Sequence, residues 1–169
     1  MTLAPIEKYQ DQLNEKVSTI TQRFSQFDIP SIELFESEAQ NFRLRAEFKI
    51  WHEGERCFHA MFERGSKNKP IEITDFPIAS KAIVSLMPTL IKRINETPVL
   101  KRRLFQLEYL DTLSGDMLVT MIYHRPLDEE WIKTAQALKE DLGINIIGRA
   151  KKMKLLLDRD HVIEELNIE

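Results

Sequence analysis

Apolar residues between positions 5 and 26 fall at Ile6, Tyr9, Leu13, Val17, Ile20 and Phe24. Steps of three and four predict an amphipathic helix, which Asp28-Ile29-Pro30 ends. Residues 42–51 alternate instead. Phe42, Leu44, Ala46, Phe48 and Ile50 take one side, and Arg43, Arg45, Glu47 and Lys49 the other. That is the pattern of a half-buried strand with a charged outer face. A turn at His52-Glu53-Gly54-Glu55 leads to a second strand over 56–63, and residues 65–70 read as a loop. A second helix is expected over about 78–94, with a kink or break at Pro88. Strands over 104–111 and 117–123, joined through Leu113-Ser114-Gly115-Asp116, form the clearest hairpin. Pro126, Asp128, Glu129 and Glu130 open a third helix that runs to about Leu142, where Gly143 stops it. Two further strands, 144–147 and 153–157, flank a turn over 148–152. Helix and hairpin alternate three times, so the expected class is α+β: an antiparallel sheet of hairpins with about three flanking helices.

Composition narrows this little. The 169 residues are 43% hydrophobic and 30% charged, enough for one domain with a real core. No apolar run reaches the roughly 20 residues that span a bilayer. The single cysteine, Cys57, excludes an internal disulfide and fits a reducing, cytoplasmic setting. Charge says more. The net charge of -3 hides an uneven spread, because residues 41–154 hold 20 basic and 15 acidic residues while both ends are acidic. A local phosphate-binding face is compatible with that distribution, as is an ordinary mixed surface.

Common catalytic centres are not legible. The five glycines, Gly54, Gly65, Gly115, Gly143 and Gly148, give no G-x-G spacing, and no P-loop occurs. His52, His59, His124 and His161 show no metal-ligand spacing with Cys57, so no metal is expected. Cys57 lies inside an expected strand, where a cysteine is usually a small, inert core residue.

Three basic clusters could meet phosphates: Arg43, Arg45 and Lys49 on one strand face; Lys101-Arg102-Arg103; and Arg149, Lys151, Lys152 and Lys154. Each also reads as a solvated face. Phe105 and Tyr123-His124-Arg125 set aromatic beside basic groups, a combination that can stack on an unpaired base and hold its backbone. Parity argues otherwise for Phe105. It shares a strand face with Leu107 and Tyr109, so the pattern alone favours core packing.

Longer blocks carry a resemblance. FRLRAEFKIWHEG at 42–54, DFPIAS at 75–80, PVL at 98–100, LFQLEYL at 104–110 with Tyr123-His124, and IGRAK at 147–151 resemble the N-terminal domain of bacterial tRNA (uracil-5-)-methyltransferases. The likeness runs over essentially the whole chain in one register. It implies methyl transfer from S-adenosyl-L-methionine to C5 of a T-loop uridine, with a cysteine thiolate adding to C6 of the extruded base and a carboxylate removing the C5 proton. It also implies that residues 1–169 form the tRNA-recognition domain. The cofactor motif, nucleophile and base belong to the family's C-terminal methyltransferase domain, which nothing here matches, so a fragment that binds RNA without catalysing is expected. The expected partners are a tRNA T-arm and that second domain in cis. The RNA contacts expected are Arg43, Arg45, Lys49, Phe105, Gln106, His124, Arg125, Arg149 and Lys151. The alternative is a non-catalytic protein-interaction or structural domain with a solvated basic face.

Overall fold

A computed structural model describes residues 8–63, 65 and 69–167. Ile6 and residues 66–68 of the expected loop at 65–70 lie outside them. The elements follow in the order α1 (Tyr9–Arg23), β1 (Arg45–Glu53), β2 (Arg56–Phe62), β3 (Pro70–Glu72), α2 (Lys81–Glu96), α3 (Pro98–Lys101), β4 (Leu104–Leu110), β5 (Leu118–Tyr123), α4 (Glu129–Leu142), β6 (Asn145–Ala150) and β7 (Met153–Leu156). The strands form one seven-stranded sheet in the order β3-β2-β1-β4-β5-β6-β7. The class is α+β, as the alternation indicated. One pair departs from the antiparallel expectation. β5 and β6 are parallel, because α4 carries the chain back across the sheet between them.

One sheet face is covered. Ala46, Phe48 and Ile50 of β1 join Leu107, Tyr109, Val119, Met121 and Ile146 in the core, under Ile83, Met87, Leu90 and Ile94 of α2 and Trp131, Ala135 and Leu138 of α4. The steps of three and four along α2 follow from the helical period. Ser80 caps α2 by accepting from Ile83 N–H, and its hydroxyl donates to buried Asp111. Pro88 does not break α2. It sits on the exposed side, and only its own missing N–H is lost to the ladder. Asp128 caps α4, and Gly143 ends it in the left-handed conformation at φ 63°.

Gly148 lies within β6 rather than in a turn. A Cβ there would lie 2.4 Å from the Trp131 ring and 2.7 Å from Leu127, so the indole needs the bare backbone. Beyond β7 the chain is clipped to the β4–β5 turn. Arg159 grips Asp116 through both carboxylate oxygens at 2.7 Å, and the Glu164 carboxylate accepts from Leu113 and Ser114 N–H at 2.8 and 2.9 Å. The apolar stripe of α1 buries no residue, and Ile20, Phe24 and Phe27 are exposed.

His59 is 3% exposed in this core, 2.6 Å from the Tyr109 hydroxyl and edge-on to Phe48. Burial pushes its pKa from 6.5 to about 4. The folded state therefore keeps the ring neutral where the unfolded chain would charge it. The stabilising contribution is whole above pH 6.5 and is lost as pH falls towards 4, a change of about 3 kcal/mol at 1.4 kcal/mol per tenfold in proton affinity. Urea unfolding of wild type and His59→Gln at pH 7 and pH 4.5 tests this. The wild type should lose more stability on acidification than the variant, and equal losses would refute the assignment.

Candidate functional site

Neither α2 nor α4 packs on the second sheet face, although Ala60, Thr120 and Ile147 on it are buried. Pairing registers place Ala60, Lys49, Gln106, Ile122, Arg149 and Lys154 in one row across six strands. The next row runs Glu47, Glu108, Thr120, Ile147 and Leu156. Arg45 follows, opposite Leu110. Glu47 and Glu108 face each other as like charges, which destabilises a ladder unless neighbours compensate. Arg45 Nη2 lies 2.6 Å from Glu47, and Gln106 Nε2 donates to Glu108 at 2.8 Å.

Phe105 belongs to this open face, against the parity reading. The register slips between Leu104 and Gln106, so β4 holds one more residue than β5 opposes. This β-bulge lets Leu104 and Leu107 both enter the core and turns Phe105 outward. Its ring stacks on His124 with centroids 4.0 Å apart and planes inclined by 22°. The Lys49 ammonium stands over the same ring, 3.9 Å from its centroid, while donating to Gln106 Oε1. β4 lies between β1, which carries Lys49, and β5, which runs into His124, so cation and ring approach Phe105 from opposite sides of its strand. Lys49, Phe105, Gln106 and His124, expected separately as RNA contacts, are thus one assembly.

Arg149 and Lys151 are exposed at the end of β6, and among the described residues neither forms an ion pair. Lys154, by contrast, is 2.7 Å from Asp160. Arg45 and Arg149 line one shallow depression of about 240 Å³ with Glu108, Thr120 and Ile147. Arg43 is exposed just before β1, where its backbone bridges to Ala79.

Arg125 needs correction as a surface contact. It is 8% exposed, and its guanidinium donates to the carbonyls of Arg102, Pro126 and Val99 at 3.0, 2.9 and 2.7 Å. It ties α3 to the turn before α4. In the second basic cluster, Lys101 donates to Glu55 O at 2.6 Å, and Arg103 holds a positive φ of 57° at the entry to β4. The alternation in the sequence missed Ile122, Ala150 and Met153. These line a cavity of about 900 Å³ with His124, Arg149 and Lys151, where β5 and β6 end. Their signal was only the parity of three strands whose pairing could not be read.

Burial pushes the Cys57 thiol up to about 11, which disfavours a thiolate. Its backbone N–H and carbonyl are both held by the Asn95 side chain at 2.8 Å. The only βαβ unit among the described residues is β5–α4–β6, and its first turn, residues 124–128, holds no glycine. Nothing there fits S-adenosyl-L-methionine or a similar nucleotide-like cofactor. Among the described residues no three His, Cys, Asp or Glu side chains are grouped to hold a metal, and no helix is long and apolar enough to cross a membrane.

The model of the tRNA (Uracil-5-)-methyltransferase family matches residues 8–169. The chain belongs to that family. Relatives described as tRNA/tmRNA (uracil-C(5))-methyltransferases include one from Vibrio parahaemolyticus, 48% identical over 96% of the chain, and one from Acinetobacter baylyi, 47% identical over 96%. The chain spans 45% and 46% of the lengths of these two relatives, less than half of each. The crystal structure of a Pyrococcus abyssi tRNA (uracil-54, C5)-methyltransferase, in complex with S-adenosyl-L-homocysteine, matches 93% of the chain and 39% of its own, with a TM-score of 0.51 at 15% identity. That likeness concerns the fold.

Within this family member, Arg125 and Arg149 should separate stability from surface chemistry. Arg125→Ala leaves three carbonyls without their donor and should cost about 3 kcal/mol. Arg149→Ala should stay within about 0.5 kcal/mol of wild type. Denaturant midpoints of both variants check the contrast, which fails if Arg149→Ala proves the more disruptive.

Proposed function

We propose that this chain is the RNA-gripping part of an S-adenosyl-L-methionine-dependent tRNA (uracil-5-)-methyltransferase, working in the cytoplasm on the T-arm of tRNA. The observation that carries this is the Lys49–Phe105–His124 column on the second sheet face, continued by unpaired Arg149 and Lys151. Stacked rings beside cations suit the unpaired bases and phosphates of an RNA loop. Arg43 and Arg45 extend the positive groups towards the start of β1. The parent's partners are the T-arm and a methyltransferase domain in cis, which supplies the cofactor site and the reacting groups. The chain alone binds RNA and does not methylate it.

A T-arm stem–loop titrated across a salt series tests this. Affinity should fall steeply with salt, and Arg149→Ala should lower the slope by about 0.7–0.9. Affinity indifferent to salt, or no binding at low salt, would overturn the proposal. The exposed Ile20, Phe24 and Phe27 favour a second reading, a protein-interaction module. Unchanged RNA affinity in a folded Arg45→Ala, Phe105→Ala, Arg149→Ala triple variant would select it.

A further inference from the structure

Phe105 is the one residue of β4 that neither neighbouring strand pairs. β1 opposes residues 106–110, and β5 opposes Leu104 and residues 106–110. The surplus residue of a bulge stays outside the ladder, so the ladder does not fix its direction. Its ring is nonetheless held against His124, with centroids 4.0 Å apart and planes inclined by 22°. Something else must hold the backbone that aims it. The peptide unit before Phe105 is planar and rigid, so whatever holds the Leu104 carbonyl also orients the Phe105 nitrogen.

Past Lys49, β1 runs on to Glu53 and pairs with β2 alone. From that overhang the His52 side chain reaches β4, and its Nε2 lies 2.7 Å from Leu104 O. A carbonyl only accepts, so Nε2 carries the proton and donates. From the β5 side, His124 N–H donates to Arg103 O at 3.0 Å. The two carbonyls that precede Phe105 are thus held by two histidines, one through a backbone donor and the other through a side chain. Arg103 has a φ of 57°, so the chain enters β4 out of strand conformation. A side chain can follow such an irregular backbone where the fixed spacing of a ladder cannot.

We propose that His52 is a positioning residue. Its Nε2–H gives Leu104 the bond that the β1–β4 ladder, ended at Lys49, does not, and so sets the direction in which the bulge turns Phe105. His52 acts on RNA through Phe105, and this consequence rests on the RNA-binding reading above.

The 169-residue chain carrying His52→Ala, His52→Phe or His52→Gln is compared with wild type. Carbon–proton NMR spectra read the His124 ring, whose protons shift upfield in the ring current of Phe105. Phe105→Leu removes that shift and so identifies the signal. His52→Ala and His52→Phe lack the donor, and each should move the His124 signal most of the way to its Phe105→Leu position. His52→Gln offers an amide N–H at similar reach and should keep the signal in place. His52 is exposed at the end of β1, and circular dichroism confirms folding. If one donor-less variant unfolds, the other decides. A labelled T-arm stem–loop is titrated in parallel. Affinity should fall about tenfold in the two donor-less variants through the loss of one stacking surface, and stay near wild type in His52→Gln. A His124 signal that does not move in the folded donor-less variants overturns the inference. So does a loss in His52→Gln as large as in His52→Ala. A collapsed stack with unchanged affinity overturns the positioning role, while RNA binding stands. Wild type that binds no stem–loop removes the RNA-binding reading itself, and the spectra still decide whether His52 aims the ring.

Discussion

Between Leu104 and Gln106, β4 carries one residue more than its partner β5 opposes. A strand in regular register sends residues 104 and 107 to opposite faces. Here both are buried, with 1% and 0% exposure, and the surplus residue, Phe105, is turned out beside Lys49. Two requirements are met at once. The core keeps Leu104, which packs near Tyr123, and the open face gains a ring it would otherwise lack. Without the bulge Phe105 would compete with Leu107 for the core, and His124 would have no ring to stack on.

The other half of the open face depends on a second backbone constraint. The parallel return from β5 through α4 to β6 is short, so α4 must lie close to the sheet. Trp131 fills that space over Gly148, where no side chain would fit. Because Gly148 points its vacant side to the helix, the next residue, Arg149, points to the uncovered face. It falls in the same row as Lys49, Gln106 and Ile122. A core packing requirement and a surface charge are therefore neighbours in sequence for a geometric reason.

Much of this was legible beforehand where period and parity were clean. The alternation in β1 separated Ala46, Phe48 and Ile50 from Arg45, Glu47 and Lys49 correctly, and Gly143 ended its helix. The failures have local causes. A bulge is invisible to parity, so Phe105 was assigned with Leu107. Gly148 looked like turn chemistry because a missing side chain serves close packing as well as it serves a turn. Arg125 looked like surface charge because nothing in its sequence context shows three carbonyls converging on it. The resemblance located Phe105, His124 and Arg149 without these physical reasons, since it compares residues rather than environments.

Charge illustrates the same point on the site itself. The excess of cations in residues 41–154 is not spread evenly over the open face. Arg45 and Lys154 are paired with Glu47 and Asp160, and Lys139 and Arg159 with Asp158 and Asp116. Exposed pairs of this kind contribute little to stability, but they cancel the field that would attract phosphate. Lys49, Arg149 and Lys151, beside the aromatic column, form no ion pair among the described residues, and neither do Arg43, Arg102, Arg103 and Lys152. The chain's overall charge of -3 is thus a poor guide to its recognition chemistry. The relevant quantity is which cations have been left without a carboxylate, and three of them stand where two stacked rings and an apolar cavity meet.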